Sequence, residues 1–295
     1  MRGVSKDFLA HVATGVTTLA RCWGLTRRDG TRFGFTDHDQ DLAFDGWDFA
    51  ADSGLSARAL LQSTGLSVDN TAAQGALSHA ALQEADIVAG RFDGADLLCW
   101  LVNWQDVSRR WLQFRGSIGE LQRAGGAFEA ELRGLTEALN QPLGRIYQPP
   151  CTAVLGDGSC RFDLATPGYA YQGALEILTE SGALQWQALE GFEPGWFTGG
   201  RMSVVSGTAA GLWGSIKRDR AVATGREITL IEPLQGGLQP GDQLRLEAGC
   251  DKSMQTCRLK FNNLLNYQGF PDIPGEDWVM AVPKSTGRNT GGSRR

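Results

Sequence analysis

Cys22-Trp23-Gly24-Leu25-Thr26, followed by Arg27-Arg28-Asp29-Gly30-Thr31, is the stretch whose reading decides the fold. A short apolar run meets an Asp-Gly pair, and glycine tolerates the positive φ of a tight hairpin turn. The reading is therefore strand, turn, strand. The same logic repeats at Leu42-Ala43-Phe44-Asp45-Gly46-Trp47-Asp48-Phe49, and alternation continues through 65–70. Further strands are expected around 95–103, 111–118 and 128–134, and beyond them at 173–179, 182–189, 200–206, 211–218 and 227–231. A last short strand is expected at 278–282. Gly236-Gly237 and Pro240-Gly241-Asp242 read as turns.

Helices are few. Val4, Phe8, Val12 and Val16, with Leu9 and Leu19, make an apolar stripe at helical spacing, which predicts one helix over 4–21. Shorter helices are expected at 78–86, 136–143 and 254–263. Gln148-Pro149-Pro150 breaks regular structure and places a domain boundary. The expected fold is mainly β with a few short helices: two linked domains of barrel or sandwich type, 1–149 and 150–283, and a flexible basic tail, 284–295.

Composition supports this. The chain has 295 residues, room for two ordinary domains, and its 39 glycines among short apolar runs suit a turn-rich β architecture. Lys and Arg number 28 against 33 Asp and Glu, which argues against broad phosphate-backbone binding. The basic cluster Lys284, Arg288, Arg294 and Arg295 is interleaved with Gly, Ser, Thr and Asn, as in a solvated end. No apolar run approaches bilayer length. Thr14, Thr17, Thr18 and Arg21 interrupt the first apolar stretch, so no secretory h-region is read and the chain is expected to stay in the cytosol or leave within a larger assembly.

Six cysteines carry the strongest chemical signal. Cys22 and Cys99 sit in apolar strand patterns beside Trp23 and Trp100 and read as small buried hydrophobes. Cys151, Cys160, Cys250 and Cys257 lie after the Pro-Pro boundary in Gly-rich loops, as Cys151-x8-Cys160 and Cys250-x6-Cys257. Two local pairs with a β-rich segment between them look like two arms of one four-sulfur site. An iron–sulfur cluster would take four thiolates, with nearby backbone N–H groups bonding the sulfurs. Zinc would take the same four, although structural zinc favours tighter pairs. Disulfides would need an oxidising compartment.

Other motifs weigh less. Thr36-Asp37-His38-Asp39, with Asp41 and Asp45, is rich in possible ligands but reads better as an Asx-type turn; Glu84 and Asp86 near His79 read the same way. Trp186, Trp196, Trp213 and Trp278 read as core or interface anchors, with interface preferred, rather than a carbohydrate site. The motifs of zinc proteases, serine hydrolases, P-loop enzymes and dinucleotide-binding folds are absent.

The paired cysteines, with Gly249-Cys250-Asp251-Lys252, Phe261-Asn262-Asn263 and Asn266-Tyr267-Gln268-Gly269-Phe270-Pro271 through Pro274-Gly275, resemble the tail-tip or tail-hub family of siphovirus-like phages and gene transfer agents. The N-terminal half matches it at Gly34-Phe35-Thr36-Asp37-His38-Asp39, Val68-Asp69-Asn70, Gly90-Arg91-Phe92-Asp93-Gly94-Ala95, Leu101-Val102-Asn103-Trp104, Gly116-Ser117-Ile118-Gly119-Glu120 and Glu131-Leu132-Arg133-Gly134-Leu135. The likeness runs from about residue 20 to about 282. It implies a [4Fe–4S] cluster held by Cys151, Cys160, Cys250 and Cys257, with zinc the alternative, and an expanded β segment between the arms. It further implies a non-enzymatic hub, assembled in the host cytoplasm, that forms a trimeric ring at the tail tip around the DNA-exit channel. Its partners would be the distal-tail protein, the tip or fibre-bearing protein, and a tape-measure protein or tail peptidase. DNA would pass without specific binding. The alternatives are an iron–sulfur or zinc enzyme, which would need an open metal position, and an envelope-binding module.

Overall fold

The computed structural model describes residues 4–51, 70–74, 83–124, 127–134 and 144–273. The chain is mainly β. It divides into two compact units, one of residues 1–143 with 204–213 and 233–242, the other of 144–203, 214–232 and 243–295.

The N-terminal helix is much shorter than expected: α1 is Lys6–Ala13. Ser5 caps it by accepting the Phe8 N–H at 3.1 Å, and Gly15, at φ +75°, turns the chain out of it. Leu19 instead begins β1 (Leu19–Thr26), paired with Asn103, so a long-range pairing overrides the local stripe. β1 and β2 (Arg32–Thr36) form the expected hairpin. β3 (Leu42–Phe44) and β4 (Trp47–Phe49) form the second; Asp45 and Gly46 at its turn both have positive φ, the geometry an Asp-Gly pair favours.

β5 (Asn70–Gln74), α2 (Glu84–Val88), β6 (Asp96–Asn103), β7 (Arg110–Ala124) and β8 (Ala127–Gly134) follow. The first sheet has the order β2-β1-β6-β7-β8-β5. Both faces of β1 are buried. Trp23 and Leu25 pack with Phe35, Phe92, Leu97 and Phe114, while Ala20 and Cys22 pack beneath Phe44, Trp47 and Phe49 of the second hairpin and against Trp100. That is why the opening apolar run is continuous rather than alternating. Gly24 is where the indoles close in: a Cβ there would stand 2.9 Å from Trp100 and 3.0 Å from Trp47. Cys22 and Cys99 are fully buried, as expected.

The second sheet comprises β9 (Ala170–Ala174), β10 (Ile177–Leu178), β11 (Leu184–Trp186), β12 (Arg201–Val204), β13 (Trp213–Val222), β14 (Gly225–Leu230) and β15 (Gln243–Glu247), in the order β10-β11-β14-β13-β12-β15-β9. The expected strand at 173–179 is in fact two. β15 went unread, although Leu244 and Leu246 alternate with Gln243, Arg245 and Glu247 and are fully buried. The helix expected over 254–263 stops early: α3 is Met254–Leu259, followed by a single 3-10 turn at Leu264–Asn266. Trp186 is core, 1% exposed with its Nε1 donating to the Ala174 carbonyl at 2.8 Å, and not an interface anchor. Trp278, the alternation before 70, the expected helix at 136–143, the expected strand at 278–282 and the basic tail lie outside the described residues, as does most of the expected helix at 78–86.

One buried ion pair ties the second unit together. Arg226 on β14 pairs with Asp219 on β13, side chains 7% and 0% exposed. Asp219 also accepts the Phe197 N–H at 3.0 Å, and Arg226 donates to the carbonyls of Phe192 (2.9 Å) and Glu193. Removing one partner strands the other charge in the core. Asp219→Ala is expected to destabilise the second unit by about 3–5 kcal/mol. Urea unfolding of the full chain, followed by tryptophan fluorescence, would show an early transition absent from the unsubstituted protein.

Candidate metal centre

Cys151, Cys160, Cys250 and Cys257 line one pocket, and its wall also includes Lys252, Ser253, Phe261, Asn263 and Asn266. All four are free thiols. Two loops and one helix bring them together. Asp157 shapes the first loop: its carboxylate accepts the N–H groups of Val154 (2.8 Å), Ser159 (2.9 Å) and Cys160 (2.6 Å). The N–H groups of Cys160 and Val154, above all, hold its carboxyl below the usual range. Ser253 caps α3 by accepting the Thr256 N–H at 3.1 Å, and α3 presents Cys257 inward.

The arms are joined directly. The Cys151 N–H donates to the Lys252 carbonyl at 2.8 Å, and Lys252 Nζ donates to the Ala153 carbonyl at 2.6 Å. Tyr267 donates its hydroxyl to the Pro149 carbonyl at 2.7 Å. Beneath Cys250 the packing is closest. Gly249 donates to the Trp196 carbonyl at 2.9 Å, and a Cβ on it would fall 1.7 Å from the Thr198 carbonyl oxygen. Lys260, just past Cys257, donates to the carbonyls of Trp196 (2.6 Å) and Gly249 (2.9 Å) and lies 4.2 Å from the Trp196 ring centre. Burial pushes its pKa down, against the pull of Cys250, Asp251 and Asp219.

Backbone strain gathers here. Arg161, Lys252 and Asn262 adopt left-handed φ of 56°, 66° and 47°, each within two residues of a pocket-lining Cys or Asn. Such conformations persist where the surroundings over-determine them.

Neighbouring sulfurs act on Cys257 and Cys250. Burial, then the neighbouring Cys250, Cys151 and Cys160, push the Cys257 thiol up to about 11. Burial likewise raises Cys250, against a backbone hydrogen bond from Lys252. Donors already face the sulfurs: the Gln268 N–H is 3.4 Å from Cys151 Sγ, and Asn263 Nδ2 is 3.5 Å from Cys160 Sγ. Four converging thiols, of which Cys257 is buried and the other three half-buried, form the donor set that a thiolate-bound metal or cluster would use. Among the described residues no three His, Cys, Asp or Glu converge on the position of a single metal ion.

The acidic motif near His38 is a turn. Asp37 accepts the Arg21 N–H, His38 Nδ1 accepts the Gln40 N–H, Asp41 accepts the Ala51 N–H, and Asp45 pairs with Arg110. Among the described residues no helix is long and apolar enough to cross a membrane. Lys260 escaped the sequence reading, because polar residues around a short helix look like a solvated face, and Asn263 was legible only within the family motif, with no role at the cysteines.

Residues 5–163 match the family described as baseplate hub protein, N-terminal attachment domain. The chain belongs to this family of baseplate hub proteins. A second match, to the family described as phage conserved hypothetical protein BR0599, spans residues 195–277. A chain in a solved structure titled "Virion of native gene transfer agent (GTA) particle" is 54% identical to this hub protein, covering 98% of this chain and 99% of that one, with a TM-score of 0.88. No curated protein matches. The hub protein is a structural tail or baseplate subunit, homologous over nearly its whole length to a virion component. The first cysteine arm lies in the hub match and the second in the other, so the pocket draws on both.

Because backbone atoms fill the space around Gly249, no side chain can yield there. Gly249→Ala is expected to destabilise the chain by about 1–3 kcal/mol or more, read as a lower thermal midpoint. Asp157→Ala, which removes three backbone contacts at the exposed rim, is expected to lower that midpoint less.

Proposed function

We propose that this hub subunit forms a closed trimeric ring at the tail tip, between the distal-tail ring and the tip or fibre-bearing protein, and surrounds the channel through which DNA leaves. A closed ring of identical subunits requires heterologous interfaces, one patch meeting a different patch. A tape-measure protein or tail peptidase is a further partner in this reading. Family membership and the virion title of the homologous chain support it. The chain's formal net charge of −5 suits a channel through which DNA slides without specific binding.

The four-cysteine pocket carries the second half of the proposal: Cys151, Cys160, Cys250 and Cys257 hold a [4Fe–4S] cluster. The sequence intervals of eight and six residues favour it over zinc, whose structural sites use tighter cysteine pairs. One zinc needs all four sulfurs about 2.3 Å from a single point, whereas a cluster gives each sulfur its own iron. When bound, the cluster would supply a covalent cross-link between the arms and positive charge to offset four thiolates. The residues do the rest. Asp157 sets the first loop, Ser253 the second, and Lys252 joins them. Metal binding then adds to folding free energy, because the unfolded chain has no such site.

Two measurements test these halves. Anaerobically purified protein is expected to be brown, with iron and acid-labile sulfide near four each per chain, roughly the [4Fe–4S] stoichiometry. Both should be lost in Cys250→Ala/Cys257→Ala. A colourless protein with one zinc would keep the cross-link and replace the metal, and a metal-free protein would remove the site. Native mass spectrometry of the full chain, alone and with its distal-tail protein, is expected to show a trimer or a trimer-containing complex. A strictly monomeric chain under both conditions would count against the ring.

A further inference from the structure

Asn263 is the one described side chain that hydrogen-bonds to a cysteine of the first arm from within the second. Its Nδ2 donates to the Cys160 carbonyl at 2.7 Å and lies 3.5 Å from Cys160 Sγ. Its Oδ1 accepts from Asn266 Nδ2 at 2.7 Å. The amide orientation follows from this network, because a carbonyl can only accept, so the group facing Cys160 must be the NH2. The backbone of Asn263 engages the other arm. Its N–H donates to the Cys257 carbonyl at 3.0 Å, and its carbonyl accepts from the Cys257 thiol at 3.3 Å. The preceding residue, Asn262, has φ 47°, a left-handed conformation that asparagine accepts more readily than most residues and that turns the chain back toward the pocket.

We infer that Asn263 is a positioning residue of the four-cysteine site: it fixes Cys160 relative to Cys257 and donates an N–H to the Cys160 sulfur. This rests on the iron–sulfur reading proposed above. Hydrogen bonds to ligand sulfurs stabilise negative charge there and so favour the more reduced cluster. Loss of the donor makes the midpoint potential more negative. A carboxylate in the same place does so further, by repulsion.

The test is the midpoint potential of the anaerobically purified full-length protein, followed by visible and electron paramagnetic resonance spectra during dye-mediated titration. It compares the unsubstituted chain with Asn263→Asp and Asn263→Ala. The expected order is most negative for Asn263→Asp and intermediate for Asn263→Ala. The rate of iron loss to a chelator is expected to rise several-fold in both Asn263 variants. If a variant purifies without iron, the thermal midpoint of the metal-free chain decides. An unchanged midpoint supports a role at the site, and a lowered one makes Asn263 a fold residue and overturns the inference. Loaded variants with the potential of the unsubstituted chain overturn it too and leave the iron–sulfur reading standing. An unsubstituted chain without iron and sulfide overturns both.

Discussion

Arg226 and Asp219 share a site with almost no solvent, and the order of the second unit descends from how they satisfy each other. Neither charge can be left alone there. The spare donors of the guanidinium therefore take the Phe192 and Glu193 carbonyls, and the spare acceptor of the carboxylate takes the Phe197 N–H. That pins the loop before Gly199. The same loop offers the Trp196 carbonyl to Gly249 and to Lys260. Gly249 precedes Cys250, and Lys260 follows Cys257, so both thiols of the second arm inherit their places from an ion pair neither touches.

Lys260 shows how tightly these layers interlock. Its ammonium is held by two carbonyls and the Trp196 ring, and its own carbonyl accepts the Tyr169 hydroxyl at 2.7 Å. Tyr169 packs with Phe162 and Phe261, at 4.7 and 5.7 Å between ring centres. One aromatic cluster thus touches the first arm through Phe162, which follows Cys160 closely, and the second through Phe261. The pocket has an apolar wall at Phe261 and polar donors, Asn263 Nδ2 and the Gln268 N–H, that face the sulfurs.

Legibility in the sequence followed the range of the governing interaction. The turns at Asp29-Gly30 and Asp45-Gly46 were readable because glycine's φ is a local matter. That the four cysteines meet in one pocket was readable because they fall in two short local pairs after the Pro-Pro break. The helix expected over 4–21 failed because Leu19 is claimed by Asn103, far along the chain. β15 was missed because two charged residues masked its alternation. Arg226, Asp219 and Lys260 left no signal, since a buried polar residue differs from an exposed one only in its partners, and Asn263 was legible only as part of the family motif. Trp186 misled for the converse reason: tryptophan serves core and interface alike, and the neighbouring residues do not say which.

Residues 164–194, between the two family matches, lie wholly between the arms of the pocket. Chains are synthesised from the N-terminus, so Cys151 and Cys160 leave the ribosome well before Cys250 and Cys257. Until then the first arm has only two of the four thiols, and neither the Lys252 carbonyl nor Asn263 exists to hold it. A truncated product keeps an incomplete site. Only a chain made through both arms therefore presents all four thiols together.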